Sequence, residues 1–381
     1  MTKSSLLKSW RLIKFGTVVD NINETTRDPA SIGLDRVVGL DHMDPESLPL
    51  KRWDKFSDLH EGTSFTRVFR SGQVLFGKRR AYQRKVSVPD FDGICSGDIL
   101  VFQPKNEELL SEFLPFLVQS DGFFDHALGT SAGSLSPRTK WLELAKYEFA
   151  LPPIAEQHRI VEVISNIDET IEAYSAIRVD DFKKFFLFNF FSSAARGFVE
   201  IQLDKCSEID MGQSPPGSSY NSERDGIPFL QGSAEFGKRN PVPKKWTHAP
   251  TKIVREGDLL LSVRAPVGDI NIADQQICIG RGLARVRATD VASAEYLKVC
   301  LEYGKADMLA ASGTGMFSSI SGANLRKLKL QIPPQDIQQD LIDRVLKIDQ
   351  ISDSIDTTVQ RLRTLRKSYL VTQLEAVNRD V

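Results

Sequence analysis

The feature that most constrains the fold is an internal repeat. The segment LPPIAEQHRIVEVISNIDETIEAYSAI begins at Leu151 and IPPQDIQQDLIDRVLKIDQISDSIDTTV begins at Ile332, an offset of 332 − 151 = 181 positions. Without gaps, this offset pairs the following residues: Pro152 with Pro333, Pro153 with Pro334, Gln157 with Gln338, Ile160 with Leu341, Ile164 with Val345, Ile167 with Ile348 and Asp168 with Asp349. Chance would not hold this register, so we predict a duplicated chain.

The similarity extends upstream of the two segments. The same offset aligns SAGSLSPRTKWLELAKYEFA, from Ser131, with SGTGMFSSISGANLRKLKLQ, from Ser312. A shorter echo, GDIL from Gly97 and GDLLLSV from Gly257, has an offset of 257 − 97 = 160. We therefore expect two halves of one plan that differ in length by 181 − 160 = 21 positions.

Each half is predicted to be a globular region followed by a long helix. Proline pairs precede both helices and suit a first helical turn. Each helix is expected to run for about 40 residues, roughly 60 Å. The apolar stripes have coiled-coil spacing, with Ile351 and Leu365 on d-like positions of the second helix. The predicted inter-helix packing residues are Ile160, Ile164, Ile167, Ile171, Tyr174, Leu341, Ile348, Ile355, Leu362 and Tyr369.

These stripes have two possible partners. Helices of this length outrun a small domain, so the simplest arrangement buries the two stripes against each other. The alternative is that each stripe packs on its own globular region. The cluster FKKFFLFNFF from Phe182 is too aromatic for full exposure and is expected either to pack at the end of the helices or to contact a protein.

Basic residues are concentrated in the globular regions. The tract from Thr66 to Lys85 and the tract from Lys238 to Arg255 contain no acid. Residues 155–181, in contrast, hold seven acids and two bases, and residues 336–356 hold six and two. The predicted DNA-binding residues are Arg67, Arg70, Lys78, Arg79, Arg80, Tyr82, Arg84 and Lys85 in the first tract and Lys238, Arg239, Lys244, Lys245, Lys252 and Arg255 in the second.

One basic tract in each half, at places that we take as equivalent, favours phosphate binding over a merely solvated basic face. Arginine on guanine, or glutamine and asparagine on adenine, would supply base choice. The side chains available for the amide role are Gln73, Gln83, Asn221, Gln231 and Asn240, and spacing does not choose among them.

The sequence contains no complete catalytic motif. GSAEFGKR from Gly232 nearly matches a phosphate-binding loop, but Arg239 stands where Ser or Thr should hold magnesium, so we expect a glycine-containing loop after the strand IPFLQ. LPPI and IPPQ lack the residues of an amino-methyltransferase loop. Asp98 and Asp258 are interpreted as turn residues before strands, and no hydrolase triad or metal-nuclease motif is found.

Composition narrows the class further. The four cysteines, Cys95, Cys206, Cys278 and Cys300, show no C-x-x-C spacing, so we expect buried thiols and no metal site. The formal net charge of −1 is not that of a general polycation. No apolar run reaches the length of a membrane span and the beginning, MTKSSLLKSWRL, lacks a secretory apolar region, so a cytoplasmic protein is expected.

The arrangement resembles the specificity subunits of type I restriction-modification enzymes over essentially the whole chain. The proline-led helix starts LPPIAEQHRI and IPPQDIQQDL are the most specific signals. Also similar are WRLIKFGTVVDNIN from Trp10, RVFRSGQVLFGKRRAYQRKV from Arg67, VEIQLDKCSEIDMGQSPPGSSYNSERDGIPFLQGSAEFG from Val199, and the motifs SAGSLSPRT and SGTGMFSSI. The second helix departs mildly, with Asp336, Ile337 and Asp340 in place of Ala155, Glu156 and Arg159.

The resemblance implies an α/β (α+β) fold of two similar mixed α/β target recognition domains, joined by two long antiparallel coiled-coil helices with pseudo-twofold symmetry. The implied segments are target recognition domain 1 at 1–150, a central helix at 151–197, target recognition domain 2 at 198–332 and a C-terminal helix at 333–381. Each domain would read one half of a bipartite, asymmetric DNA site, and the helices would set the spacing between the halves, about one helical turn.

The resemblance also implies partners. They are double-stranded DNA, two methyltransferase subunits that use S-adenosylmethionine, and restriction subunits that use ATP and Mg²⁺ to translocate and cleave. The chain itself would be non-catalytic and would bind no cofactor. Three alternatives stay open: a specificity subunit of a modification-only or other defence system, a coiled-coil structural adaptor, and a free-standing nuclease or methyltransferase, against which the missing motifs speak.

Overall fold

The chain folds as two compact units of mixed α/β structure. The computed structural model describes residues 10–59, 63–192, 197–312 and 319–374. Unit 1 consists of Met1–Ala176 together with Thr357–Val381, and unit 2 consists of Ile177–Asp356. Residues 313–318 of the motif SGTGMFSSI and residues 1–9 of the N-terminal sequence lie outside the described residues.

Unit 1 carries five short or medium helices and ten strands among its described residues. The helices are α1 (Phe15–Val18), α2 (Leu114–Gln119), α3 (Asp121–Gly129), α4 (Trp141–Leu144) and α5 (Ile154–Ser175). The strands are β1 (Arg11–Lys14), β2 (Val19–Ile22), β3 (Arg36–Val38), β4 (Asp54–Lys55), β5 (Arg67–Phe69), β6 (Val74–Gly77), β7 (Val86–Ser87), β8 (Gly93–Cys95), β9 (Ile99–Pro104) and β10 (Glu148–Leu151).

Unit 2 follows a similar order. Its helices are α6 (Val179–Ser192), α7 (Leu203–Cys206), α8 (Ala294–Tyr303), α9 (Lys305–Ala311), α10 (Gly322–Arg326) and the first part of α11 (Gln335–Leu374), whose residues from Thr357 onward belong to unit 1. Its strands are β11 (Val199–Gln202), β12 (Ser207–Met211), β13 (Tyr220–Asn221), β14 (Ile227–Leu230), β15 (Lys245–Thr247), β16 (Ile253–Val254), β17 (Leu259–Ser262), β18 (Ile270–Ile272), β19 (Ile277–Ile279), β20 (Leu283–Ala288) and β21 (Lys329–Ile332).

The sheet topologies of the two units match, as the duplication predicts. The sheet β2-β9-β6-β7 corresponds to β12-β20-β17-β18, and β4-β3-β8-β5 corresponds to β15-β14-β19-β16, to which unit 2 adds β13. In both second sheets the central pair is parallel, β3 with β8 and β14 with β19. A two-stranded antiparallel ribbon, β1 with β10 and β11 with β21, precedes the helix in each unit.

This topology corrects the shorter sequence echo. Gly257 precedes β17, whose counterpart is β6, whereas Gly97 precedes β9. The true counterpart of Gly257 is Gly72, at an offset of 257 − 72 = 185, and both glycines have a left-handed backbone, with φ of 84° and 80°. Such a backbone favours glycine, so both turns keep the residue. The offset of 160 matched unrelated strands, because short Gly-Asp turns before apolar strands recur.

The two predicted helices differ in continuity. α11 is continuous over 40 residues, as expected, but the first segment is divided into α5 and α6. The expectation of one 40-residue helix there was wrong. No proline or glycine lies at 176–178, but Asp180 and Asp181 fall in the first turn of α6, where they favour a new helix start.

Within unit 1, α5 and the end of α11 run side by side in opposite directions. Arg159 bonds Gln373 and Asp168 bonds Arg366, so rising numbers on one helix meet falling numbers on the other. Ile160 and Ile164 are fully buried in a cluster that also contains Leu370 and Leu374 of α11. Within unit 2, Lys183 of α6 bonds Asp349 of α11, and Leu187 shares a cluster with Leu341, Ile342 and Val345.

The structure shifts the predicted seam of α11 by one position. Ile348 is buried, and Ile355, Leu362 and Tyr369 are half-buried, but Ile351 and Leu365 are 55% and 54% exposed. The inward positions lie four residues after Leu341, Ile348, Ile355 and Leu362. They are Val345, Ser352, Val359 and Arg366. Two of these are polar, and for that reason the hydrophobic pattern favoured the wrong set. On α5, Ile167 and Ile171 are half-buried and Tyr174, predicted to pack, is 37% exposed.

The paired sequence positions also carry paired contacts. Asp168 and Asp349 each accept a hydrogen bond from a cation, Arg366 at 2.6 Å and Lys183 at 2.7 Å. Glu172 and its equivalent Asp353, at 353 − 172 = 181, each pair with a lysine of their own unit, Lys51 and Lys238 respectively. Glu172 and Asp353 therefore fasten the globular region of each unit to its helix.

The described helices include none that is long and apolar enough to cross a lipid bilayer. All four cysteines are buried, which confirms the expectation of buried thiols. The aromatic cluster on α6 is divided: Phe186, Phe190 and Phe191 pack against the core of unit 2, and Phe182, Phe185 and Phe188 are exposed.

Candidate nucleic-acid interface

Most of the first basic tract is engaged in contacts within unit 1. Arg70 pairs with Glu24 and Asp92, Arg84 pairs with Asp121 and lies over the ring of Phe124, and Lys85 donates to the Leu40 carbonyl at 2.6 Å. Arg67 donates to Asn21 at 3.4 Å, and Arg79 donates to Ser136 at 3.1 Å. The hydrogen bond to Asp92 raises the pKa of Arg70. Arg70, Arg84 and Lys85 therefore have partners within unit 1, and their DNA-binding role stays a prediction.

The loop between β6 and β7 has an unusual backbone. Arg80 and Arg84 flank a short 3-10 turn, Ala81–Gln83, and both have left-handed φ angles, 54° and 52°. Tyr82 at the turn is 57% exposed. Non-glycine residues in this conformation are uncommon, and they cluster at functional sites. The turn therefore exposes one aromatic side chain, flanked in sequence by two arginines with left-handed backbones.

Cations outnumber acids around Asp98. Arg138 forks onto the carboxylate at 2.7 and 3.2 Å, and Arg79 approaches it at 3.4 Å. The hydrogen bond from Arg138 holds the pKa of Asp98 below its usual value. Burial lowers the pKa of Lys78, and Arg67 lowers it further. Lys78 is half-buried beside Arg79 and Arg138, which share the single carboxylate of Asp98. This excess of positive charge suits a phosphate.

This cluster, which we name the first basic edge, consists of Arg67, Lys78, Arg79 and Arg138. It lies where the parallel strands β3 and β8 end. Arg67 is the register partner of Cys95, the last residue of β8, and the Lys78 amide donates to the Asp98 carbonyl at 2.9 Å. Strand pairing thus gathers residues that are distant in sequence.

The second basic tract is divided differently. Lys238 pairs with Asp353 on α11 and Arg239 pairs with Glu295, so these two predicted DNA-binding residues have partners within unit 2. Lys244, Lys245, Lys252 and Arg255 are exposed and form no ion pair among the described residues. The tracts are only partly equivalent: β5 corresponds to β16, so Arg67 and Arg70 match Lys252 and Arg255, whereas the other predicted cations of the two tracts do not correspond.

Register places several of these cations at one end of a sheet. β15 runs antiparallel to β14, so Lys245, the first residue of β15, pairs with Phe229 near the end of β14. Lys252 precedes β16 and its carbonyl accepts from Ile279 at the end of β19. Arg281 follows β19 after one residue, Gly280. This end of the sheet is where the parallel strands β14 and β19 finish, the counterpart of the first basic edge.

We name this surface the second basic edge and define it as Lys244, Lys245, Lys252, Arg264 and Arg281, all exposed. Arg264 belongs to it because the amide of the preceding Val263 donates to the Gly282 carbonyl at 2.9 Å. The same bond exists in unit 1 between Lys78 and Asp98, and Arg264 bridges Ser319 as Arg79 bridges Arg138. Arg264 is therefore the counterpart of Arg79.

Sequence reasoning missed Arg138, Arg264 and Arg281. Arg138 stands in SAGSLSPRT and Arg281 between two glycines in IGRGL, outside both basic tracts. The available signal was the repeat itself: aligning RSGQVLFGKR with REGDLLLSVR, at the offset of 185, would have paired Arg79 with Arg264. Arg281 has no such local signal, since only the pairing of β14 with β19 brings it to this edge.

The near-match to a phosphate loop is a loop of another kind. GSAEFGKR follows β14 and forms a three-residue 3-10 turn, Ser233–Glu235. A phosphate-binding loop requires a helix whose first turn faces the anion. The expectation of a glycine-containing loop after the strand is thus confirmed.

Two like domains, each with cations gathered at the same end of a parallel strand pair, define the class of duplicated nucleic-acid-binding proteins. Comparison with known proteins gives the family. A family model described as "Type I restriction modification DNA specificity domain" matches residues 53–178 and 196–363. A protein of Methanocaldococcus jannaschii named "Putative type I restriction enzyme MjaX specificity subunit" is 35% identical over 327 residues, covering 78% of this chain and 76% of that protein.

Solved structures agree. A chain from a study of complex assembly and conformational transition of the type I R-M system has a TM-score of 0.69 and 29% identity, covering 95% of this chain and 96% of that one. The HsdS subunit of Thermoanaerobacter tengcongensis has a TM-score of 0.50 and 29% identity, with 95% of each chain covered. The protein described here belongs to the type I restriction-modification DNA specificity family and is a specificity subunit of such a system.

Proposed function

We propose that each unit reads one half of a bipartite, asymmetric DNA site, through the first basic edge in unit 1 and the second basic edge in unit 2. The observation that carries this proposal is their common position at the end of a parallel strand pair. Phosphate contacts by exposed lysine and arginine supply affinity and register on the duplex. The two edges carry different side chains on the same strand topology, which suits the recognition of two different half-sites.

The helices α5, α6 and α11 are proposed to set the distance between the half-sites, as an antiparallel coiled pair, and to dock two methyltransferase subunits. Phe182, Phe185 and Phe188 support docking on α6. Spaced three apart on one helical face, they are 56%, 66% and 58% exposed. An aromatic stripe of this kind is typical of a protein contact surface. Its partner here is proposed to be a methyltransferase subunit.

The remaining roles belong to the complex. This chain is proposed to be non-catalytic and to hold no cofactor. Methyltransferase subunits would bind S-adenosylmethionine and methylate adenine, and restriction subunits would use ATP and Mg²⁺. The complex is proposed to act on double-stranded DNA in the cytoplasm. The segments 1–150, 151–197, 198–332 and 333–381 would serve as first recognition domain, central helix, second recognition domain and C-terminal helix.

The test is single-molecule sequencing of adenine methylation in cells that express this chain with its methyltransferase, against cells that lack this chain. We expect a new bipartite motif. Absence of a motif, with the methyltransferase shown to be expressed and bound, would contradict DNA reading and favour a structural adaptor. Docking is tested by co-purification: Phe185→Ser should weaken methyltransferase binding, and Lys184→Ser on the same helix is the exposed control.

A further inference from the structure

Five amide side chains were candidates for reading bases, and their contacts separate them. Gln73 bonds Gln103 and the Arg70 amide, Asn221 bonds the backbone of Asp225, and Asn240 bonds the Ile272 carbonyl. Those three are occupied in holding turns, and Gln83 is half-buried in the turn Ala81–Gln83 of unit 1. Gln231 is exposed directly after β14 and its one described side-chain contact is through Oε1, from Ser214 at 3.0 Å.

The orientation of Gln231 is fixed by a short relay. The backbone amide of Arg281 donates to the Ser214 hydroxyl at 3.3 Å, and that hydroxyl donates its single proton to Gln231 Oε1. The Nε2 group of Gln231 has no hydrogen bond among the described residues. It is therefore the end of the side chain that faces an incoming ligand, as a donor of two hydrogen bonds.

The backbone beneath these side chains is closely packed. Gly280 donates to the Leu230 carbonyl at 2.8 Å and Gly282 donates to the Gln231 carbonyl at 3.1 Å. A Cβ atom at Gly282 would lie 2.4 Å from the Gln231 carbonyl oxygen, and one at Gly212 would lie 2.2 Å from the Gly280 carbonyl oxygen. Only glycine permits this approach, so the turns that carry Gln231 and Arg281 are held together rigidly.

The surrounding charge favours DNA as the ligand. Arg281 is exposed and its guanidinium makes no ion pair among the described residues. Lys244 and Lys245 flank the end of β14 and Lys252 flanks the end of β19, so cations stand on both sides. Thr251, next to Lys252, donates to the Gln213 carbonyl and ties this flank to the loop that holds Ser214.

We propose that Gln231 and Arg281 are specificity-determining residues of unit 2 that read guanine in the major groove, with the flanking lysines on phosphates. This inference rests on the proposed function. The Arg281 guanidinium presents donors only, and because Ser214 engages Oε1 of Gln231, the open end of that side chain is the Nε2 donor group. Guanine offers two adjacent acceptors, N7 and O6, whereas adenine sets a donor beside its N7, cytosine presents a donor, and thymine has one acceptor, O4, beside its methyl group. Two donors on one rigid frame therefore fit guanine better than any other base.

Methylation sequencing with Arg281→Ala and Gln231→Ala tests this. We expect one half of the bipartite motif to lose its preference at one guanine position, or two adjacent ones, while the other half stays unchanged. In binding to the wild-type site, the purified complex with methyltransferase should lose about 10- to 100-fold for Arg281→Ala. Affinity for DNA without the site should change far less.

Two matched variants sharpen the test. Arg281→Lys keeps the charge but loses the planar fork, so it should relax the motif while keeping non-specific affinity. Arg224→Ala removes an exposed arginine near Gly226, at the opposite end of β14, and should leave the motif unchanged. An unaltered motif with folded Arg281→Ala and Gln231→Ala proteins, or a change at a position that is not a G·C pair, would overturn the inference. Absence of any bipartite motif with the wild-type chain would instead count against the proposed function.

Discussion

Gln157 and Gln338 hold the same place in the two units, 181 positions apart. Each buried carboxamide donates to the carbonyl of the proline five residues before it, Pro152 at 2.9 Å and Pro333 at 3.0 Å. Each also donates to a loop of its own unit, at the Glu108 and Val291 carbonyls. The proline-led motif thus attaches the start of each helix to its own domain, and the glutamine has a structural role.

Gln157→Ala is expected to destabilise unit 1. The Gln157 side chain also accepts from the Leu110 amide at 2.9 Å, so its removal takes the side-chain partner from three backbone groups, one buried and two partly buried. The loss of unfolding free energy should be about 2 kcal/mol or more. Urea denaturation measures it, with exposed Gln360→Ala on α11 as control. Equal stability of the two variants would mean that water replaces the amide.

The salt dependence of DNA binding distinguishes cations that contact phosphates from cations that do not contact the DNA. In the complex with methyltransferase, Lys244→Ala and Lys245→Ala should each lower the log-log slope by about one unit. The triple replacement of Lys78, Arg79 and Arg80 should lower it by about one unit per lost contact. Lys367→Ala, exposed on α11, should leave it unchanged. A slope unaffected by Lys244→Ala and Lys245→Ala would place those lysines off the DNA.

Asp98 makes unit 1 sensitive to acid. The hydrogen bond from Arg138 lowers the pKa of Asp98 in the folded chain. Because the folded pKa is depressed, the carboxylate stabilises the fold above its unfolded pKa of 3.8, and this stability disappears as pH falls through the folded value. Asp98→Asn should cost about 1 kcal/mol at pH 7, because the partners are partly exposed.

The check is the unfolding free energy from pH 2 to 7 for wild type, Asp98→Asn and the exposed control Asp90→Asn. The curve for Asp98→Asn should converge on the wild-type curve at the acid end. A constant gap between them at every pH would show that the loss comes from packing rather than from charge.

The thiols should be inert in the folded protein. Burial raises the pKa of Cys95 to about 12, of Cys300 to about 12 and of Cys206 to about 11. Iodoacetamide at pH 8 should label them only after unfolding. Because these pKa values are raised, the neutral thiols favour the fold fully below the unfolded value of 9, and stability falls as pH rises above it. Rapid native labelling of Cys95 would mean that unit 1 opens locally.

The sequence predicted the duplication, the mixed α/β class, the proline-led helices and the buried thiols. These depend on repeats and local propensities, which a chain displays directly. It placed the seam of α11 wrongly because Ser352 and Arg366 face inward without being apolar. It missed the break before α6 because neither proline nor glycine marks it.

The candidate site was less accessible from sequence, for a physical reason. Residues of the second basic edge come from four places in the chain, and only the pairing of β14 with β15 and β19 brings Lys245, Gln231 and Arg281 to one end of the sheet. Local density of charge found Lys244 and Lys245 but also selected Lys238, which fastens a loop to α11. Counting cations does not reveal which of them already have partners.

The division of α11 between the units reverses the order in which they can be finished during translation. Unit 2 has all its residues once Asp356 has left the ribosome, whereas unit 1, begun first, still needs Thr357 onward. Until then the buried faces of Ile160 and Ile164 lack Leu370 and Leu374. A premature stop after Asp356 would therefore harm the earlier-made domain and spare the later one.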